Sequence, residues 1–207
     1  MNRGIQCMQI WTDVLIYLDN RPNHKRIPMQ LPVGSIPPAL STLDFLGDPV
    51  DLAALRGRPV LLSFYRYASC PVCNLRMHSI IQAYPEWAAQ GLAVIAVFQS
   101  PTESIAQYVG RQDAPFPIVP DPGMALYRRF GVEAHWSGLL SPKGMLTALK
   151  AFRQGFLPGR VDGPFQRTPA DFLIDTQGRI ALAHYGSHID DHVPLGTIAQ
   201  WLRTQHP

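Results

Sequence analysis

Apolar runs of strand length alternate with helical periodicity along most of the chain. Residues 59–66 and 92–98 are apolar at almost every position, which predicts central strands buried on both faces. From 70 to 90 the apolar residues recur at about 3.6 spacing, which predicts a helix that Gly91 ends. Similar patterns predict strands at 40–45, 50–52 and 116–120, helices at 102–111, 124–130, 141–152 and 194–203, and a hairpin of strands 171–175 and 179–185. A loop is expected between 155 and 166.

The order of these elements predicts the fold class. Strands alternate with helices, and a hairpin and a last helix follow. This order is typical of an α/β protein in which helices cover both faces of a central mixed β-sheet, that is, a three-layer sandwich.

The first 28 residues differ from the rest of the chain. Residues 8–18 are apolar but include Asp13, and the polar stretch 19–26 follows in place of a small-residue cleavage site. We therefore expect no secretory signal. The sequence predicts an N-terminal extension over 1–28, outside the domain or preceding an alternative start at Met29, and one redox domain over 29–207.

Composition excludes several classes of protein. Hydrophobic residues make up 46% of the chain and charged residues 16%, which excludes disorder across the whole chain. No apolar run approaches the length of a membrane span, so no membrane partner is expected. The net charge is +3 and the basic residues are scattered, so no nucleic-acid partner is expected either.

Cys70 and Cys73 form a Cys-x-x-Cys pair where a buried strand leads into a helix. A thiolate is the reactive form of cysteine, and the unpaired N–H groups of a helix N-terminus stabilise it. Pro71 suits the first helical position because it has no N–H to leave unpaired. The spacing places the second sulfur one turn on, close enough to form an internal disulfide. We expect both residues to be catalytic, and the helix-terminus argument favours Cys70, taken as the more exposed, as the attacking thiol.

Two alternatives to a redox pair are a zinc site and a pair of packed structural thiols. Structural zinc sites have four ligands, and His78 is the only further candidate near the pair. A Cys-x-x-Cys motif at this place in an α/β chain instead predicts a thioredoxin-like dithiol with no metal and no organic cofactor.

Three histidines recur at four-residue spacing: His184, His188 and His192. On a helix they would share a face, but Gly186 and Ser187 follow a strand, so a polar loop is expected. A metal site is the alternative.

The segment 64–75, Phe-Tyr-Arg-Tyr-Ala-Ser-Cys-Pro-Val-Cys-Asn-Leu, resembles the active-site segment of bacterial peroxiredoxin-like proteins. These belong to the alkyl hydroperoxide reductase and thiol-specific antioxidant family, within the thioredoxin-like fold. Segments 50–60 and 169–180 are similar to the family's entry and late hairpins, and the resemblance covers about 31–203. It implies a thioredoxin-like sandwich, a hydroperoxide substrate and a possible homodimer.

Two family positions differ in this chain. Peroxiredoxins carry a Thr three residues before the attacking Cys and an Arg three residues before the Phe of the late strand. If Cys73 takes the attacking place, as this resemblance favours, the Thr position holds Cys70. The Arg position, counted back from Phe172, holds Pro169. Arg66 or Arg167 is the candidate replacement for the Arg.

Four further residues are candidates for substrate binding. Thr168 and Pro169 resemble the cis-proline dipeptide of thioredoxins and glutaredoxins, which faces the dithiol and pairs with a bound thiol substrate. An ordinary trans turn is the alternative. Arg66 and Tyr67 flank the dithiol, and Tyr67 is a candidate aromatic wall of the cleft.

The predicted function is that of a thiol-dependent antioxidant oxidoreductase. Cys70 and Cys73 would reduce a hydroperoxide, form an internal disulfide and be reset by thioredoxin or glutathione. One alternative is a thiol-disulfide reductase with little peroxidase activity, and another is a non-catalytic redox-sensing or binding module. We expect a cytoplasmic protein, because a reducing compartment keeps a dithiol ready.

Overall fold

The computed structural model describes residues 30–132 and 142–205. Its strands are β1 (Ser41–Leu43), β2 (Pro49–Asp51), β3 (Val60–Phe64), β4 (Ala93–Phe98), β5 (Ile118–Pro120), β6 (Ala170–Ile174) and β7 (Ile180–Tyr185). Its α-helices are α1 (Pro71–Ala89), α2 (Thr102–Gln107), α3 (Ala125–Arg129), α4 (Pro142–Arg153) and α5 (Leu195–Arg203). Short 3-10 turns lie at Ala53–Leu55 and Val109–Gln112.

Within these residues five strands form a mixed sheet in the order β5-β4-β3-β6-β7. Strand β3 is parallel to β4, and β4 is parallel to β5. Strand β6 is antiparallel to both β3 and β7. The sheet confirms the predicted mixed architecture, and the predicted strands near 40–45 and 50–52 pair as the separate two-stranded hairpin of β1 and β2.

Helices pack on both faces of this sheet, which gives three layers. One face carries α1, α2 and α5, whose buried side chains include Met77, Ile105 and Ile198. The other face carries α3, and there Phe64 of β3 contacts the rings of Tyr127 and Phe172. Alternate side chains of β3 point to opposite layers, so this central strand is buried on both faces. Residues 65–70, here called the dithiol loop, follow its carboxyl end.

One predicted helix is shorter than expected. The pattern over 102–111 gives α2, which ends at Gln107, and then a 3-10 turn. Tyr108 leaves the helical region at φ −116° and ψ −92°. The chain folds back there so tightly that a Cβ on Gly110 would lie 2.8 Å from the carbonyl oxygen of Ile105.

Some expectations lie outside the described residues. These are the extension over 1–28 and the start at Met29. Among the described helices, none is long and apolar enough to cross a membrane.

Candidate active site

The dithiol lies where the sequence predicts it. Strand β3 ends at Phe64, a short loop follows, and Cys70 is the extended N-cap residue of α1 at φ −68° and ψ 118°. Pro71 is the first helical residue. The amide of Asn74 donates to the carbonyl oxygen of Cys70 at 3.0 Å, which starts the helix. The free N–H groups of the first turn therefore face the Cys70 sulfur.

Both thiols are free and almost fully enclosed, with Cys70 and Cys73 each 1% exposed. The expectation that Cys70 is the more exposed thiol is therefore wrong. Cys70 is enclosed because the segment 156–165, here called the cover segment, lies over it. This segment follows α4 and contacts the dithiol loop.

The cover segment is anchored to the dithiol loop and to the end of β4 by polar contacts. Ser69 donates its hydroxyl hydrogen to the carbonyl oxygen of Arg160 at 2.6 Å. The Gln99 amide nitrogen donates to the carbonyl oxygen of Pro164 at 3.1 Å, and the Ser100 hydroxyl donates to the Asp162 carboxylate. The predicted loop is thus an ordered part of the site.

The two thiols differ in acidity. Burial acts to raise the pKa of Cys70, but a hydrogen bond from Cys73, the charge of Arg66 and the backbone N–H groups of Cys73 and Val72 outweigh it, and the pKa falls to about 6. Burial and the neighbouring Cys70 raise the pKa of Cys73 well above its usual value. At neutral pH Cys70 is the thiolate and Cys73 is the protonated thiol.

Arg66 connects the thiolate to the cover segment. Its Nη1 lies 3.5 Å from the Sγ of Cys70, and its Nη2 donates to the carbonyl oxygen of Phe165. Arg66 is 2% exposed, and its guanidinium lies beside the stacked rings of Tyr67 and Phe165, 5.0 and 4.9 Å from their centroids. Arg167, the other candidate, instead donates to the carbonyl oxygen of Val132 and lies over the Tyr127 ring.

Tyr67 is buried beside this cation. Burial and the Cys70 thiolate raise the pKa of Tyr67 to about 12. The ring stacks on Phe165 at 6.1 Å. Tyr67 therefore forms part of the wall of the site and holds the cover segment by ring contact.

Thr168 and Pro169 are buried directly before β6, whose first residue, Ala170, pairs with Phe64 at the end of β3. The predicted cis bond is wrong, because the described residues contain no cis peptide bond. The trans isomer is the lower in energy for X-Pro. The carbonyl oxygen of Pro169 accepts a hydrogen bond from the amide of Gly186 at 2.8 Å, which extends the β6–β7 pairing.

The sequence reasoning missed Asn74. Its side-chain amide donates to the carbonyl oxygens of Ala68 and Cys70 at 2.7 and 2.9 Å, and Gln112 donates to its Oδ1 at 2.9 Å. Asn74 thus fixes the dithiol loop from inside. The signal that could have identified it is an Asn directly after the motif, in the first turn of the helix.

The three histidines do not converge. His184 contacts Asp191, His188 contacts Asp190, and His192 contacts Asp171, all at 2.8 to 3.1 Å. The prediction of a polar loop is also wrong for His192, because its side chain is only 4% exposed. The charged Asp171 in the apolar run of β6 was the signal for this buried pair. In the ranges 30–132 and 142–205, no three His, Cys, Asp or Glu residues are grouped to hold a metal ion.

The fold and the dithiol define a thiol-dependent oxidoreductase of the thioredoxin-like class. The model of the AhpC/TSA family matches residues 33–183. The chain therefore belongs to that family, as the resemblance of residues 64–75 indicated.

Individual relatives agree with this assignment. A protein of Mycobacterium tuberculosis (strain ATCC 25618 / H37Rv) that bears a peroxiredoxin name is 27% identical over 165 residues, 79% of this chain and 91% of that protein. Thiol-disulfide oxidoreductase ResA of Halalkalibacterium halodurans is 32% identical over 90 residues, 43% of this chain and 51% of that protein. The crystal structure of peroxidoxin BcpB from Mycobacterium tuberculosis superposes with a TM-score of 0.63 at 18% identity, covering 86% of this chain and all of that one, and so supports the fold.

Proposed function

We propose that this oxidoreductase reduces hydroperoxides with Cys70 as the attacking thiolate and Cys73 as the resolving thiol. The observation that carries the proposal is the contact of Arg66 with Cys70, 3.5 Å from a thiol whose pKa is lowered to about 6. A buried cation beside a thiolate also supplies what the missing family Arg would supply, because it stabilises negative charge on the departing oxygen.

The reaction begins with attack of the Cys70 thiolate on one peroxide oxygen. The S–O bond forms as the O–O bond breaks, and the second oxygen leaves and takes up a proton as water or alcohol. Cys70 is then a sulfenic acid, two electrons more oxidised. Cys73 attacks that sulfur, the S–S bond forms and water leaves. The hydrogen bond between the two thiols places Cys73 for this second step.

The Cys70–Cys73 disulfide is reset by two electrons and two protons from thioredoxin or glutathione. A reducing thiol pool keeps such a pair ready, so the proposal places the protein in the cytoplasm. A homodimer belongs to the same proposal, on the family resemblance alone.

A second candidate is a thiol-disulfide reductase with little peroxidase activity. The similarity to ResA favours it, as does Cys70 at the position where peroxiredoxins have Thr. In this case the Cys70 thiolate would attack a disulfide sulfur of the substrate, and Cys73 would release the substrate thiol by closing the internal disulfide.

The deciding experiment is stopped-flow mixing of the reduced protein with hydrogen peroxide, followed by tryptophan fluorescence, with Cys70→Ser and Cys73→Ser alongside. We expect rapid oxidation of the unchanged protein. Cys73→Ser should consume one equivalent of peroxide and stop at the sulfenic acid, which a dimedone probe detects by mass spectrometry. Cys70→Ser should stay unreacted.

Two outcomes would contradict parts of the proposal. A reactive Cys70→Ser beside an inert Cys73→Ser would reverse the two roles. Oxidation of the unchanged protein no faster than that of a free thiol would leave disulfide exchange as the function, and a mixed glutathione disulfide would then be the substrate to test.

A further inference from the structure

Helix α4 exposes its large apolar side chains and buries its small residues. A surface helix ordinarily buries its large apolar side chains and exposes its polar ones. Here the small Gly144 and Ala151 are buried against the molecule. The large residues lie outside at i, i+1, i+4 and i+7, with exposed fractions of 76, 69, 47 and 42%: Met145, Leu146, Leu149 and Phe152.

The exposed apolar surface continues beyond the helix into the cover segment. Leu157, Val161 and Phe165 are exposed there. Of the eleven large hydrophobic residues exposed in the described part of the chain, seven lie between 145 and 165. We call these seven residues the apolar face. Such a concentration marks an interaction surface, because monomeric proteins usually scatter their exposed apolar residues.

The exposed charged side chains between the apolar residues of α4 and the cover segment are basic, while Asp190, which contacts Thr147 of α4, is paired with His188. Residues 142–161 include four basic residues and no acidic one. Lys150, Arg153 and Arg160 are exposed among the apolar side chains. The next acidic residue, Asp162, accepts a hydrogen bond from Ser100 and is half-buried. The apolar face therefore has a basic rim.

The apolar face ends at the dithiol. The carbonyl oxygen of Arg160 accepts a hydrogen bond from Ser69, which precedes Cys70. Phe165 accepts a hydrogen bond from Arg66 and stacks on Tyr67. A molecule that binds the apolar face therefore also contacts the segment that encloses the thiols.

We infer that the apolar face is the docking surface for an acidic dithiol protein that reduces the Cys70–Cys73 disulfide. The inference rests on the proposed function, because it names the surface through which that disulfide is reset. The charge complementarity of the basic rim selects an acidic partner, and the apolar side chains supply the contact area.

Electron transfer at this surface is a two-step exchange. A partner thiolate attacks the Cys70 sulfur, the S–S bond to Cys73 breaks, and Cys73 leaves as a thiolate that takes up a proton. The second partner thiol then attacks the mixed disulfide. Cys70 is released as a thiolate, and the partner keeps the two-electron oxidation as its own disulfide.

Other occupants fit the surface less well. Two copies of this chain would bring two basic rims together, and like charges repel. A lipid surface would bind the basic helix alone. The apolar face extends past this helix to the enclosed thiols, and a lipid cannot reduce their disulfide.

The test measures reduction of the disulfide, which is formed beforehand with diamide so that no peroxide is needed. Reduced bacterial thioredoxin, an acidic dithiol protein, is mixed with the oxidised protein, and dithiothreitol is the small reductant for comparison. The variants are Leu146→Ser and Arg153→Glu. Leu46→Ser is the matched control, because Leu46 is 72% exposed and lies in the β1–β2 turn, distant in the sequence from the apolar face.

We expect Leu146→Ser and Arg153→Glu each to lower the second-order rate constant with thioredoxin by about tenfold, a typical loss at an interface anchor. The rate with dithiothreitol should stay within about twofold, as should both rates of Leu46→Ser. Added salt should slow thioredoxin alone, because it screens the basic rim.

Equal thioredoxin rates in all variants would overturn the inference. So would a dimer in sedimentation that Leu146→Ser dissociates, or binding to phosphatidylglycerol vesicles that Leu146→Ser abolishes. Failure of the protein to react with peroxide would count against the proposed function and leave this readout unaffected.

Discussion

At the scale of single residues, Arg66 sets the charge of the site. It lies in a short loop between a buried strand and the dithiol, and its side chain is enclosed with the Cys70 sulfur. A charge in such an enclosed place acts strongly on its neighbour, because little water screens it. The reactivity of Cys70 should therefore depend on this side chain as well as on the hydrogen bond from Cys73.

Replacement of Arg66 by Met tests this dependence. Removal of the cation should raise the pKa of Cys70 from about 6 only part of the way to the unperturbed value, because the hydrogen bond from Cys73 remains, and the thiolate fraction at neutral pH should fall several-fold. The ultraviolet absorbance of the thiolate, titrated against pH, measures the shift. Arg66→Lys is the control that keeps the charge and should move the midpoint less. The same midpoint in all three proteins would show that Arg66 has no such effect.

The pH dependence of the unchanged protein has a defined sign. Above about pH 6 Cys70 is a thiolate and its alkylation rate should be level. Below that pH the rate should fall about tenfold per pH unit as the thiolate is protonated. Iodoacetamide labelling of Cys70, quantified by peptide mass spectrometry, follows it. A midpoint near that of free cysteine would contradict the lowered pKa.

At the scale of elements, the sequence predicted the strands and helices more fully than the segments between them. Continuous apolar runs identified β3 and β4 because both faces of a central strand are buried. The cover segment was predicted only as a loop. Its place over the dithiol depends on contacts of Ser69, Gln99 and Ser100, which are distant in the chain and carry no local pattern.

The cover segment gives a prediction of its own. Phe165→Ala removes the ring that contacts Arg66 and Tyr67. The segment should then open more often, because local opening is easier where fewer contacts must break. Cys70 should react several-fold faster with a bulky maleimide, measured by mass spectrometry under native conditions. Leu157→Ala is the control, since Leu157 is exposed and makes no such contact. Equal rates for both variants would contradict the enclosing role.

At the scale of the whole molecule, Asp171 links the sheet to the last part of the chain. Its carboxylate, fully buried on β6, accepts hydrogen bonds from His192 and from the backbone amide of Val193 at 2.7 Å. Burial acts to raise the pKa of Asp171, but the charge and hydrogen bond of His192 outweigh it and hold the pKa well below the usual value. The residues before α5 are thereby held against the central sheet.

Asp171→Asn should lower the free energy of unfolding at neutral pH by about 3 to 5 kcal/mol, because it leaves His192 buried without its charged partner. The depressed pKa contributes stability above about pH 4, and this contribution is lost as the pH falls. Urea unfolding at several pH values measures both effects, and the variant should show a flatter acid dependence. Asp48→Asn, at an exposed position, is the control. An equal loss in both variants would contradict the role of the pair.

The enclosure of the thiols also determines which reagents they can meet. The observed reaction rate of an enclosed thiolate is the product of two quantities. These are its intrinsic reactivity and the fraction of time that the cover segment is open. Acidity changes the first of these and leaves the second alone. A small oxidant needs a brief, narrow opening, whereas a bulky one needs a wide and rarer one. The cover segment should therefore act as a molecular sieve, in which the size of an oxidant, more than its chemical strength, decides how soon it is reduced.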